Sequence, residues 1–145
     1  MVKIFVAQTL EKDRHMVCDF LNVSGHEAQP YKTDMSSLTR LTWDVMSMTK
    51  PAVIITSQRG SGNPYVSNIL HTVAFNLPIR TLTIAYTRAA AQHDYMEEVR
   101  GYIAQLMSSQ MHQLKIVPKH DDVRRNDELQ VIKGYVEAFA QQCPM

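Results

Sequence analysis

The hydrophobic positions fall into short continuous runs separated by longer stretches of helical period. KIFVA (3–7) is β-branched and aromatic over the length of a strand. In the LEKDRHMVCDFL that follows, Leu10, Val17, Phe20 and Leu21 share one helical face. Gly25 and Pro30 punctuate NVSGHEAQPYKTD, so any strand there is short and at an edge. Asp34 or Ser36 suits the cap of a next helix, carrying Leu38, Leu41, Val45 and Met48 at helical spacing, and Pro51 closes that segment.

AVIIT (52–56) is an uninterrupted apolar run, the mark of a strand covered on both faces. After a loop with two glycines, Val66, Ile69, Leu70, Val73 and Leu77 form an apolar stripe that stops at Pro78. RTLTIAYT (80–87) reads as a strand, and the next segment places Tyr95, Val99, Tyr102, Ile103 and Leu106 at helical spacing. LKIVP reads as the last strand, followed by a terminal helix, NDELQVIKGYVEAFAQQ, with Ile132, Tyr135, Val136 and Phe139 inward. This alternation predicts one α/β domain spanning residues 1–145. It is a three-layer sandwich with a parallel sheet between helical layers, most simply in the flavodoxin-like strand order. The sheet has four or five strands, depending on whether residues 22–34 contribute one.

Composition adds exclusions. With 15 basic and 14 acidic residues, a net charge of +1 gives no electrostatic reason to expect nucleic acid or an anionic membrane. No apolar stretch approaches transmembrane length, and the N-terminal run is too short for a signal peptide, so a cytoplasmic location is expected. Cys18 and Cys143 follow no ligand or redox spacing; a reduced core thiol at Cys18 and an incidental thiol at Cys143 are expected. The six histidines are scattered without metal-ligand spacing, and His93, shortly after a strand, is the one that merits attention as crevice-facing. Nine methionines read as core filling, or as a surface cluster serving a homodimer.

In an open parallel sheet the ligand crevice lies beyond the carboxyl ends of the strands. That rule selects Gln8 to Lys12, Ser57 to Asn63 and Thr87 to His93. The middle loop is the richest, with Gly60 and Gly62 permitting close backbone approach, Ser57, Gln58, Ser61 and Asn63 offering polar groups, Arg59 adding a cation and Pro64 suiting a helix start. GSGN is also an ordinary turn composition, and it is neither a Walker loop nor a dinucleotide fingerprint. No nucleophile elbow and no paired carboxylates are recognisable, so no catalytic residue is nominated.

The stretch WDVMSMTKPAVIITSQRGSGNPYVSNIL resembles the middle of NADPH-dependent FMN reductases of the flavodoxin-like superfamily, where a buried strand leads into a loop of the type T-P-E-Y-N-x-S-x-P. Thr56 and Pro64 match its threonine and second proline, Ser61 is one position from its serine, and Asn68 is close to an asparagine of the following helix. The resemblance implies FMN as cofactor and NADPH as co-substrate. It makes Ser57, Gln58, Arg59, Gly60, Ser61, Gly62 and Asn63 the ring-binding segment, with Thr87 and Arg88 on the neighbouring loop. The family's glycine- and serine-rich first loop is replaced here by AQTLEKDRHM, so Gln8, Thr9, Lys12 and Arg14 are left to hold a phosphate by side chains.

KIFVAQTLEKDR and the glycine loop also resemble nucleoside 2-deoxyribosyltransferases, which place a nucleophilic glutamate on the helix after that loop; Asn68 stands nearest that position. A non-catalytic module that binds a small ligand or a partner is the third expectation.

Overall fold

In the computed structural model, residues 2–57, 79–88, 111–120 and 122–143 are described. They contain five parallel strands, β1 (Lys3–Ala7), β2 (Glu27–Pro30), β3 (Ala52–Thr56), β4 (Thr81–Thr87) and β5 (His112–Pro118), in the order β2-β1-β3-β4-β5. This is the flavodoxin-like order, with a switch of direction between β1 and β3. Among the described residues three α-helices accompany them: α1 (Glu11–Val23), α2 (Met35–Met46) and α3 (Arg125–Gln142), the last preceded by a 3-10 turn at Asp122–Arg124.

Period-two alternation along the central strands sorts their side chains into two cores. Ile4, Val6, Val53, Ile55, Leu82, Ile84 and Tyr86 pack with Val17, Cys18 and Leu21 of α1 and with Leu129, Ile132, Val136 and Phe139 of α3. The intervening Phe5, Ala7, Ala52 and Ile54 pack with Leu38, Leu41 and Val45 of α2. Every residue of β3 and β4 is buried, which is why β3 reads in the sequence as an unbroken apolar run, whereas β4 buries Thr81, Thr83 and Thr87 among its apolar residues. Cys143, expected as an incidental thiol near the terminus, belongs to the same core as Cys18, and burial pushes the Cys18 thiol up to about 11.

The edge strand β2 is largely exposed and is held by local devices. The Asn22 side chain brackets Ala28, accepting its N–H at 2.8 Å and donating to its carbonyl at 3.2 Å. Asp34 caps α2 by accepting the Ser37 N–H, and the Ser36 and Ser37 hydroxyls also donate to it. Those bonds, led by the Ser37 N–H, hold its carboxyl below the ordinary value. Leu10, expected on the inward face, is instead the residue before the first turn of α1, in extended conformation and 54% exposed. Phe20, expected beside it, packs only partly against the core. Among the described residues, no helix is long and apolar enough to cross a membrane.

Candidate functional site

The carboxyl ends of β1, β3, β4 and β5 lie side by side, because adjacent strands pair in register up to Ala7 with Thr56 and Thr87 with Pro118. The residues that leave those ends converge. After β1, Gln8 is fully buried, and the Thr9 N–H donates to Ser57 Oγ at 2.9 Å, with the two hydroxyl oxygens 2.8 Å apart. Arg14, one turn into α1, reaches back to donate to the carbonyls of Gln8 and Thr9, both at 2.9 Å. The loop after β1 is thus clamped from beneath by a guanidinium.

At the other side of the edge, Pro118 ends β5, but the Lys119 N–H still donates to the Thr87 carbonyl at 3.0 Å, so the ladder runs one residue further. That extra rung aims the Lys119 side chain inward. Its Nζ donates to Gln8 Oε1 at 2.6 Å and to Asp13 Oδ2 at 2.8 Å, and it sits 4.7 Å from the centroid of the Tyr86 ring. A buried ammonium is tolerable only with such partners. Burial nevertheless outweighs the Asp13 carboxylate and holds the Lys119 amine below its ordinary value.

Around this contact lies a buried polar layer supplied by α1 and α3. Arg125 Nη1 donates to the Tyr86 hydroxyl at 2.7 Å and stands 3.6 Å from Asp13. The Tyr86 hydroxyl in turn donates to Glu128 Oε1 at 2.6 Å. Glu128 Oε2 accepts both the His120 N–H at 2.6 Å and His120 Nδ1 at 2.8 Å. Burial works to raise the Glu128 carboxyl, but the bonds from Tyr86 and His120 prevail and hold it below its ordinary value. Burial and the bond to Glu128 keep the Tyr86 phenol well above the usual range.

Above this layer opens a cleft of about 440 Å³, lined among the described residues by Arg88, Lys119, His120, Val123 and Arg124. Its size is within the range of small-molecule sites. Three cations and an imidazole converge there, so it favours an anion with several acceptor oxygens.

The sequence-selected residues fall out as follows. Gln8, Thr9, Ser57, Thr87 and Arg88 all lie at the carboxyl edge, as the strand-end rule expected, but their side chains do different work. Gln8 and Thr9 are engaged inside the protein, by Lys119 and Ser57 respectively. The first turn of α1 also carries the buried Asp13 carboxylate. The described cations of the cleft, Arg88, Lys119 and Arg124, instead follow β4 and β5 in the chain. Of the nominated residues that are described, Arg88 alone reaches the cleft lining. Gln58, Arg59, Gly60, Ser61, Gly62 and Asn63, together with Asn68 and His93, lie outside the described residues.

Lys119, His120, Arg124 and the supporting Asp13, Arg125 and Glu128 were not selected from the sequence. Lys119 and His120 carry a readable signal, because the strand-end rule applied to LKIVP points to them directly. No family model, curated protein or solved structure matches the chain.

Proposed function

We propose that the chain binds a phosphate-bearing small molecule in the cleft at the carboxyl ends of β4 and β5. The observation that carries this reading is the convergence of Arg88, Lys119, His120 and Arg124 on one cavity, at the edge where open parallel sheets take their ligands. Arg88 and Arg124 are the exposed members and supply the donors that meet the phosphate; Lys119, held by Asp13 and Gln8, contributes a fixed charge at the base.

Flavin mononucleotide is the ligand that the sequence resemblance favours, with its phosphate at Arg88 and Arg124 and its ring toward Ser57 and Thr87. When bound, a flavin supplies hydride chemistry, for which NADPH is the donor in this reading. The protein's share is then placement: Arg88, Lys119 and Arg124 hold the phosphate end on a base that the β4–β5 ladder fixes.

The test is the visible absorption of purified protein after addition of FMN and removal of the unbound fraction, with inorganic phosphate as competitor. Retained flavin that phosphate displaces supports the reading. Replacing Arg88 and Arg124 together by alanine then weakens FMN binding by about 100-fold or more, since each of the two charge-assisted hydrogen bonds lost is worth roughly 1.5–3 kcal/mol. Unchanged affinity in that double variant refutes this placement of the phosphate. A protein that binds phosphate or nucleotides but not FMN is a binding module of another specificity.

A further inference from the structure

The cleft holds one group that binding alone does not employ. His120 lines it with a half-exposed side chain, while its Nδ1 is held 2.8 Å from Glu128 Oε2 and its own N–H is held 2.6 Å from the same oxygen. Two bonds to one oxygen fix both the backbone and the ring, so the imidazole cannot swing away without breaking them. The Glu128 carboxylate is itself fixed, because its other oxygen accepts the Tyr86 hydroxyl and that hydroxyl accepts from Arg125. An ionised carboxylate only accepts, so the ring proton resides on Nδ1 and the lone pair on Nε2. Nε2 is then the nitrogen that the ring offers to the cleft.

We propose that His120 is a phosphoryl acceptor, its Nε2 taking a phosphoryl group from a small phosphorylated donor held by Arg88, Lys119 and Arg124. This rests on the phosphate-binding reading above. The Nε2 lone pair forms the bond to phosphorus, and the bond from phosphorus to the leaving-group oxygen breaks, its electron pair departing with that oxygen. The imidazole becomes cationic as the bond forms, and the Nδ1 proton stays in its hydrogen bond with Glu128, whose negative charge stabilises the new cation. The surrounding cations offset the charge of the phosphoryl oxygens, which otherwise repel an approaching electron pair. Water or an acceptor hydroxyl subsequently takes the group from Nε2, returning the neutral ring. His120 is thus the reacting group, and Glu128 is a positioning residue.

The experiment incubates the whole chain with acetyl phosphate and, separately, with phosphoramidate, and follows phosphoryl incorporation by intact mass and by tandem mass spectrometry. In parallel, binding of inorganic phosphate is followed by phosphorus NMR. The expected result is one acid-labile, alkali-stable phosphoryl group on His120, absent from His120→Asn. Glu128→Gln is expected still to bind phosphate yet to form the label about 100-fold more slowly at saturating donor, where a change in affinity does not enter the rate. A purely structural role for Glu128 would lower binding and labelling together, and circular dichroism checks that both variants are folded. Phosphate binding with no label from either donor overturns the proposal while leaving the binding reading intact, and so does label on any residue other than His120. Absence of phosphate binding in the unmodified protein removes the binding reading and this inference together.

Discussion

The Tyr86 hydroxyl is a junction between opposite charges, accepting from Arg125 and donating to Glu128. Its removal in Tyr86→Phe preserves the ring that Lys119 overlies but leaves two charged groups each short of a partner in a buried layer. Equilibrium urea unfolding is expected to show a loss of about 1–3 kcal/mol. Glu128 makes the same layer sensitive to acid. Its carboxyl is held below the ordinary 4.5, so its contribution to stability is fully present above that value and is lost as pH falls through the lower folded value. The melting temperature of Glu128→Gln is therefore expected to fall less steeply than that of the unmodified protein below pH 4.5. Parallel acid limbs for the two proteins would remove Glu128 from the linkage.

At the scale of elements, two glycines give opposite expectations. Gly25, just past α1, has φ near +92°, a conformation that penalises any side chain, so Gly25→Ala destabilises by about 1–2 kcal/mol. Gly134 lies within α3, and a Cβ there meets nothing within 4 Å. Gly134→Ala is expected to stabilise by up to about 1 kcal/mol, since glycine is a poor helix former. Thermal unfolding of the two variants checks both signs. The same distinction between local and tertiary information decides what was legible in the chain. AVIIT announced itself because a strand buried on both faces can be apolar throughout, and TLTIAYT because its threonines, isoleucine and tyrosine are strand formers. EAQP, in β2, carried almost no apolar signal, because an edge strand pairs through its backbone and through Asn22. Leu10 misled because an apolar residue at the correct spacing is uninformative when it precedes the first helical turn. Asp13, Arg125 and Glu128 were illegible for a deeper reason. Charged residues in the first turn of a helix ordinarily read as solvated, and only the meeting of α1 and α3 over the strand ends buries them against one another.

For the molecule as a whole, the sheet sets apolar cores beneath a charged rim at its carboxyl edge. The near-neutral total charge conceals this arrangement, because Arg88 and Arg124 converge at the cleft while Asp13 and Glu128 are spent on buried partners. Ligand binding by exposed cations is screened by salt, so phosphate and FMN affinities are expected to fall as ionic strength rises, as dialysis equilibria at several salt concentrations would record. The most direct measurement is a titration of nitrogen-15-labelled protein with inorganic phosphate and then with FMN, followed by backbone amide shifts. The account predicts saturable shifts centred on Arg88, Lys119, His120 and Arg124, largely abolished when Arg88 and Arg124 are both replaced by alanine. Shifts centred elsewhere on the molecule, or none that saturate, would contradict it.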